Sequence, residues 1–301
     1  MVGNNLSLFM DRKIKKNQHY VPQFYLRQFT DNNNYLYCYN KHSQKRFPAH
    51  TADICFVKFG YETVLPEPSQ FGNQFLLPNE IENMFGPMEN EYNQMLSQVA
   101  QKCVLNCNGK TLICSSLEKE ILASMVANFI VRNPNAVNND PDCAEIDTII
   151  ETNEQIKSID DLLREMKLGT AKPFVELAQK KIFFDPQQDG VTKHIIDELL
   201  GMNLSFFVAD NLDFITSDCP VGYNCTEEKM LMARIPLSSK VTAVYSRSLN
   251  AKQVRNRACK LEDHFVSKLN QDYLNWPIPQ LIISNADSNI DLLLNNHQGG
   301  T

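Results

Sequence analysis

Apolar residues recur at helical spacing through the middle of this chain and turn to short, strand-like runs toward its end. Ile81, Phe85, Met88, Tyr92, Met95, Leu96 and Val99 repeat every three or four residues, which predicts a long helix from about Asn79 to near Cys107. Leu117 to Val131 is richer still in apolar residues, so a second helix there should be central, with Pro134 ending it. After a polar break at 138–142, helical patterns resume over Ala144 to Ile156, Asp160 to Met166, Pro173 to Lys181 and Thr192 to Gly201. Earlier, Pro22 opens a short helix whose Tyr25, Leu26 and Phe29 share a face, and Tyr35 to Tyr39 reads as a strand.

Beyond residue 204 the pattern changes. Ser205 to Ala209, Asp213 to Thr216, Met230 to Leu237 and Val241 to Ser246 read as four closely spaced strands, which suggests an antiparallel meander. A helix over Lys260 to Leu274 and a strand over Gln280 to Ser284 follow. The expected class is α+β, with a central helical block packed on a mainly antiparallel C-terminal sheet. The expected organisation is a mobile basic lead-in over 1–16, one domain over 17–285 and a polar tail over 286–301.

Composition narrows the function classes. A hydrophobic fraction of 43% and a charged fraction of 21% over 301 residues are those of a folded, core-forming protein. A net charge of -6 gives no overall attraction for nucleic acid or anionic lipid, although Arg12, Lys13, Lys15 and Lys16 form a local basic run. No stretch is long and apolar enough to span a bilayer, so no membrane partner is expected. The nine cysteines lack the paired knuckle spacing of a zinc site and read as free thiols, which suits a cytoplasmic location. The GxGxxG and P-loop signatures of nucleotide sites are absent.

The run Asn17-Gln18-His19-Tyr20-Val21-Pro22-Gln23-Phe24-Tyr25-Leu26 resembles the opening signature of the DUF4238 family, a bacterial family without an established activity. Ile81-Glu82 with Glu89, Arg132-Asn133-Pro134, Ile215 to Val221, Pro236-Leu237-Ser238 and Leu269-Asn270 resemble its later marks in order. Cys219 stands where that pattern more often has asparagine, so this chain lacks an amide there.

These marks place chemistry at element ends. His19 precedes the proline-started helix, with Gln23 on the same side. Arg132 closes the most apolar helix. Asp218 follows a strand and is preceded by Thr216 and Ser217. A histidine to carry a proton, an arginine to clamp an anion and an aspartate to orient the histidine are the parts that phosphate chemistry needs. The expectation is an enzyme acting on a phosphorylated substrate, a nuclease among the candidates. His19, Arg132 and Asp218 would be catalytic, and Gln23, Thr216 and Ser217 would bind substrate. Glu82 and Glu89, seven apart on one helix face, are the pair suited to a divalent metal. The alternatives are a non-catalytic sensor for a small anionic ligand and a protein-interaction module. Nucleic acid or a small phosphorylated ligand is the expected partner. The arginine is expected to keep Asp218 ionised, and that carboxylate to hold His19 partly protonated near neutral pH.

Overall fold

The computed structural model describes residues 14–66, 74–134, 143–226, 229–248 and 254–298. The expected mobility of residues 1–13 and the polar break at 138–142 lie outside them. Residues 14–16 are attached: the Lys15 amide donates to Asn79 Oδ1 at 2.7 Å, and the Lys16 carbonyl accepts from Phe59.

The first part of the chain is short elements. Strand β1 (Asn17–His19) leads into α1 (Gln23–Leu26), with Pro22 at the N-cap, and a 3-10 turn over Arg27–Phe29. Strands β2 (Leu36–Asn40), β3 (Lys45–Ala49), β4 (Phe56–Lys58), β5 (Thr63–Val64) and β6 (Phe75–Leu76) follow. The helical block then comprises α2 (Glu80–Leu105), the strand β7 (Asn108–Leu112), α3 (Ser116–Arg132), α4 (Cys143–Thr152), α5 (Glu154–Glu165), α6 (Lys172–Phe184) and α7 (Val191–Leu200). The last third holds β8 (Asn203–Ala209), β9 (Thr216–Ser217), β10 (Gly222–Cys225), β11 (Met230–Ser238), β12 (Val241–Ser246), β13 (Arg257–Leu261), α8 (Asp263–Asn275), β14 (Leu281–Ser284) and α9 (Asp287–Gln298). This is an α+β fold.

Helix α3 begins at a capping box, in which Ser115 accepts from the Glu118 amide and Glu118 accepts back from the Ser115 amide. Its residues from Leu122 to Arg132 are buried apart from the half-buried Ser124, so it runs through the core as its composition predicts. Phe129 packs against Phe24 and Tyr25. Helix α2 contacts β8, β11, β12 and β13, and α3 packs against α2 and α7. Tyr25 has no exposed surface and joins three elements. Its hydroxyl pairs with Thr216 Oγ1 in β9 and donates to the Pro236 carbonyl in β11, each at 2.8 Å.

Four expectations are corrected. The late strands are not one meander. Strands β10, β11, β12, β8, β13 and β7 form a six-stranded sheet in that order, with β13 parallel to β8, while β9 belongs to a separate sheet ordered β3-β2-β14-β9. Residues 257–261 form a strand, so α8 begins at Asp263, not Lys260. The pattern over 144–156 breaks at Asn153, whose side chain accepts from the Gln155 and Ile156 amides and caps α5. The tail includes α9, anchored by Ile290 and Leu293.

Candidate functional site

Strand β1 carries His19 to its end, where it pairs with Phe56 of β4 and the two rings meet edge to face at 5.6 Å. Gln18, the residue before it, is the anchor. Its amide donates to Glu62 at 2.5 Å and accepts from the Tyr61 amide at 2.8 Å. Burial lowers the pKa of His19, and the positive charge of Arg132 adds to that; the carbonyls of Ala52 and Thr51, together with Glu89, pull the other way. The imidazole is therefore neutral at neutral pH, which corrects the expectation of partial protonation. Its Nε2 is buried and has no hydrogen-bond partner. A carbonyl-facing ring with one nitrogen left over presents that nitrogen as a lone-pair base.

Arg132 ends α3 with its side chain 1% exposed. Its guanidinium donates to Glu89 Oε1 at 2.6 Å, to Tyr61 Oη at 3.3 Å, to Asn128 Oδ1 at 3.3 Å and to the His19 carbonyl. It also stacks 4.0 Å from the Phe85 ring centroid. A buried guanidinium requires this many partners, because an unpaired charge in the interior would cost several kcal/mol, about 3–5 by comparison with broken buried pairs.

Glu82, Phe85 and Glu89 lie on one face of α2 at three- and four-residue steps, which brings both carboxylates toward Arg132. Glu82 is pushed up by burial, against the pull of Arg132 and Lys15, and its Oε2 is buried without a partner. Among the described residues no group of three or more His, Cys, Asp or Glu side chains is arranged to hold a metal ion. Glu89 is bonded to a guanidinium instead.

Asp218 joins this cluster through its backbone. The Asn133 side chain donates to the Asp218 carbonyl at 2.6 Å. The Asp218 carboxylate turns the other way and accepts from the Gln280 and Leu281 amides at 3.0 and 3.1 Å. Burial pushes its pKa up to about 6, although those two amides and Lys41 oppose the shift. The expected salt bridge to Arg132 and the expected orienting bond to His19 are not formed. The hydroxyls beside it also face inward: Thr216 meets Tyr25, and Ser217 closes a small turn by bonding both the amide and the carbonyl of Cys219. Gln23 is half-buried near Thr51, at 3.5 Å between their polar atoms.

Arg132 thus bonds the His19 backbone carbonyl, and its neighbour Asn133 bonds the Asp218 backbone carbonyl, while the Asp218 carboxylate faces away from both. Reasoning from sequence missed Tyr61, gave Asn133 no role beyond its place in a motif, and assigned Glu89 to a metal, whereas it is bonded to Arg132. The chain matches the family described as protein of unknown function, DUF4238, over residues 17–290. It belongs to the DUF4238 family. No curated protein and no solved structure matches it. Several positions by which this chain resembles DUF4238 are bonded in separate groups: His19 and Glu89 to Arg132, Tyr25 to Thr216 and Pro236, and Asn133 to Asp218.

Proposed function

We propose that this DUF4238 protein is an enzyme acting on a phosphorylated substrate, with His19 as the general base and Arg132 as the anion clamp. The observation that carries the proposal is a partnerless, buried His19 Nε2 on the residue whose backbone carbonyl Arg132 holds, together with an Arg132 counter-ion that is the more exposed member of its pair. Glu89 is 30% exposed at its side chain and Arg132 is 1% exposed. Arg132 cannot lose its carboxylate to water without leaving a buried charge. It can exchange that carboxylate for another anion, and a phosphoryl oxygen suits the planar fork of a guanidinium. Glu89 then swings to solvent. The proposal requires that this movement also uncovers Nε2, which would accept the proton of the attacking water or hydroxyl.

Asp218 has no catalytic part in this reading; it fixes the turn before β14. No step is routed through a metal, because Glu82 and Glu89 face a guanidinium that would repel a cation. Nuclease activity and a cytoplasmic location belong to the proposal, the latter because the described cysteines are free thiols. Among the described residues no helix is long and apolar enough to cross a membrane.

The test is hydrolysis of p-nitrophenyl phosphate, bis(p-nitrophenyl) phosphate and single-stranded DNA, with and without divalent cations. The expected result is turnover that falls by about a hundredfold or more in His19→Ala, with inorganic phosphate still bound. Saturable phosphate binding without turnover would make the protein a sensor. Neither binding nor turnover would end both readings.

A further inference from the structure

The six-stranded sheet has a second face. One face meets α2. On the other, the register of β11, β12 and β8 brings Met232, Arg234, Val244 and Phe207 to the same side. Helix α8 lies over part of that face and leaves a cavity of about 620 Å³ between them, with Phe265, Leu269 and Trp276 on its wall. That size falls within the ordinary range of small-ligand sites. Phe265 and Met232 are 47% and 42% exposed, large apolar surfaces left open to water.

The polar groups here are few and unevenly held. Arg234 has a side chain only 8% exposed and sits 4.9 Å over the Tyr273 ring. Its ion pair is with Asp272, at 3.4 Å, and Asp272 is 57% exposed. Lys268 is exposed on the same wall. Two cations against one carboxylate leave the groove one positive charge in a chain whose net charge is -6. A dianion would be undercompensated there, and a neutral apolar molecule would leave the arginine without a closer partner.

We propose that this groove binds a small amphipathic monoanion: an apolar body bearing one carboxylate. The body lies along Phe207, Met232, Val244 and Phe265, and the carboxylate takes the place of Asp272 on Arg234. The site shares no residue with the His19–Arg132 cluster and is independent of the phosphate reading.

Trp276, the chain's one tryptophan, lines the groove and reports on it by fluorescence. The experiment is a titration of the full chain with dodecanoate, with dodecanol and dodecyltrimethylammonium as controls. One saturable site is expected, weakened by about tenfold or more when the carboxylate is replaced by the alcohol or when Arg234→Gln removes its partner. Lys268→Gln, at an exposed position that does not endanger folding, should weaken it by a smaller factor. Gly222→Leu should block it. A Cβ at Gly222 meets Trp276 at 3.9 Å, an ordinary contact, so bulk added there is directed at the groove wall. Three results would overturn the proposal: no saturable change in Trp276, equal affinity for all three amphiphiles, or sedimentation showing that a second copy of this chain covers the groove.

Discussion

The Arg132 cluster and the groove over β11 are opposites. The first is polar and closed; its arginine is bonded on every side, while His19 Nε2, Glu82 Oε2 and Asn128 Nδ2 are buried without partners. The second is apolar and open, with one buried arginine held by an exposed carboxylate. The contrast separates two ways in which polar side chains persist inside a protein. At Arg132 the partners come from three segments besides its own helix, so the cluster binds the fold together. At Arg234 the one paired carboxylate is exposed, so it is the contact that the proposed ligand would have to displace.

The largest expected effect tests the first half of that contrast. Glu89→Ala leaves Arg132 buried without its counter-ion and should cost about 3–5 kcal/mol in urea denaturation. A loss under about 1 kcal/mol would place the cluster in the same class as the groove. Arg234→Gln, which removes a long, half-exposed pair, should cost less than about 1 kcal/mol by the same measurement.

Tyr25 extends the comparison to the joint between the sheets. Tyr25→Phe strands the Pro236 carbonyl and the Thr216 hydroxyl in a site with no water access. The expected cost is about 1–3 kcal/mol. A neutral result would mean that the two sheets are held by apolar packing alone.

A smaller effect separates Asp218 from His19 by sign. Asp218 has a folded pKa of about 6, raised above its ordinary value, so its contribution to stability is fully present below the unfolded pKa of 3.8 and is lost as pH rises through about 6. His19 has a lowered folded pKa, so its contribution is present above 6.5 and is lost as pH falls through the folded value. Asp218→Asn should therefore raise stability at pH 7 and flatten the slope between the two carboxyl values, leaving the histidine limb in place. A slope unchanged by that substitution would mean that Asp218 titrates normally.

Much of the helical block was legible because each signal was local and agreed with the next. In α3 an apolar run and Pro134 mark the same helix, and the Ser115–Glu118 box seen in the structure agrees with both. Strand partners were less legible. Asp213 to Thr216 read as the next strand of a meander after β8, but only Thr216 and Ser217 form a strand, and they pair with β14 more than sixty residues later. Helix α9 read as a polar tail because Ile290 and Leu293 are its only strongly buried apolar residues. The motif positions pointed to the right place, yet not to the right bonds. Which carboxylate reaches Arg132 depends on how α2 packs against α3, and no spacing within either helix encodes that. The groove had no motif at all. Its residues alternate on strands whose two faces are both apolar, so neither face stands out in the sequence.

The central claim, that Arg132 exchanges Glu89 for a phosphoryl group, is tested most directly by inorganic phosphate acting on the stability of Glu89→Ala. Phosphate should restore the variant toward wild-type stability and bind it more tightly than wild type, since no carboxylate has to be displaced. At a hundredfold excess over the dissociation constant the gain should be about 2.7 kcal/mol. Equal, negligible stabilisation of both proteins by phosphate would contradict the claim and leave Arg132 as a structural residue.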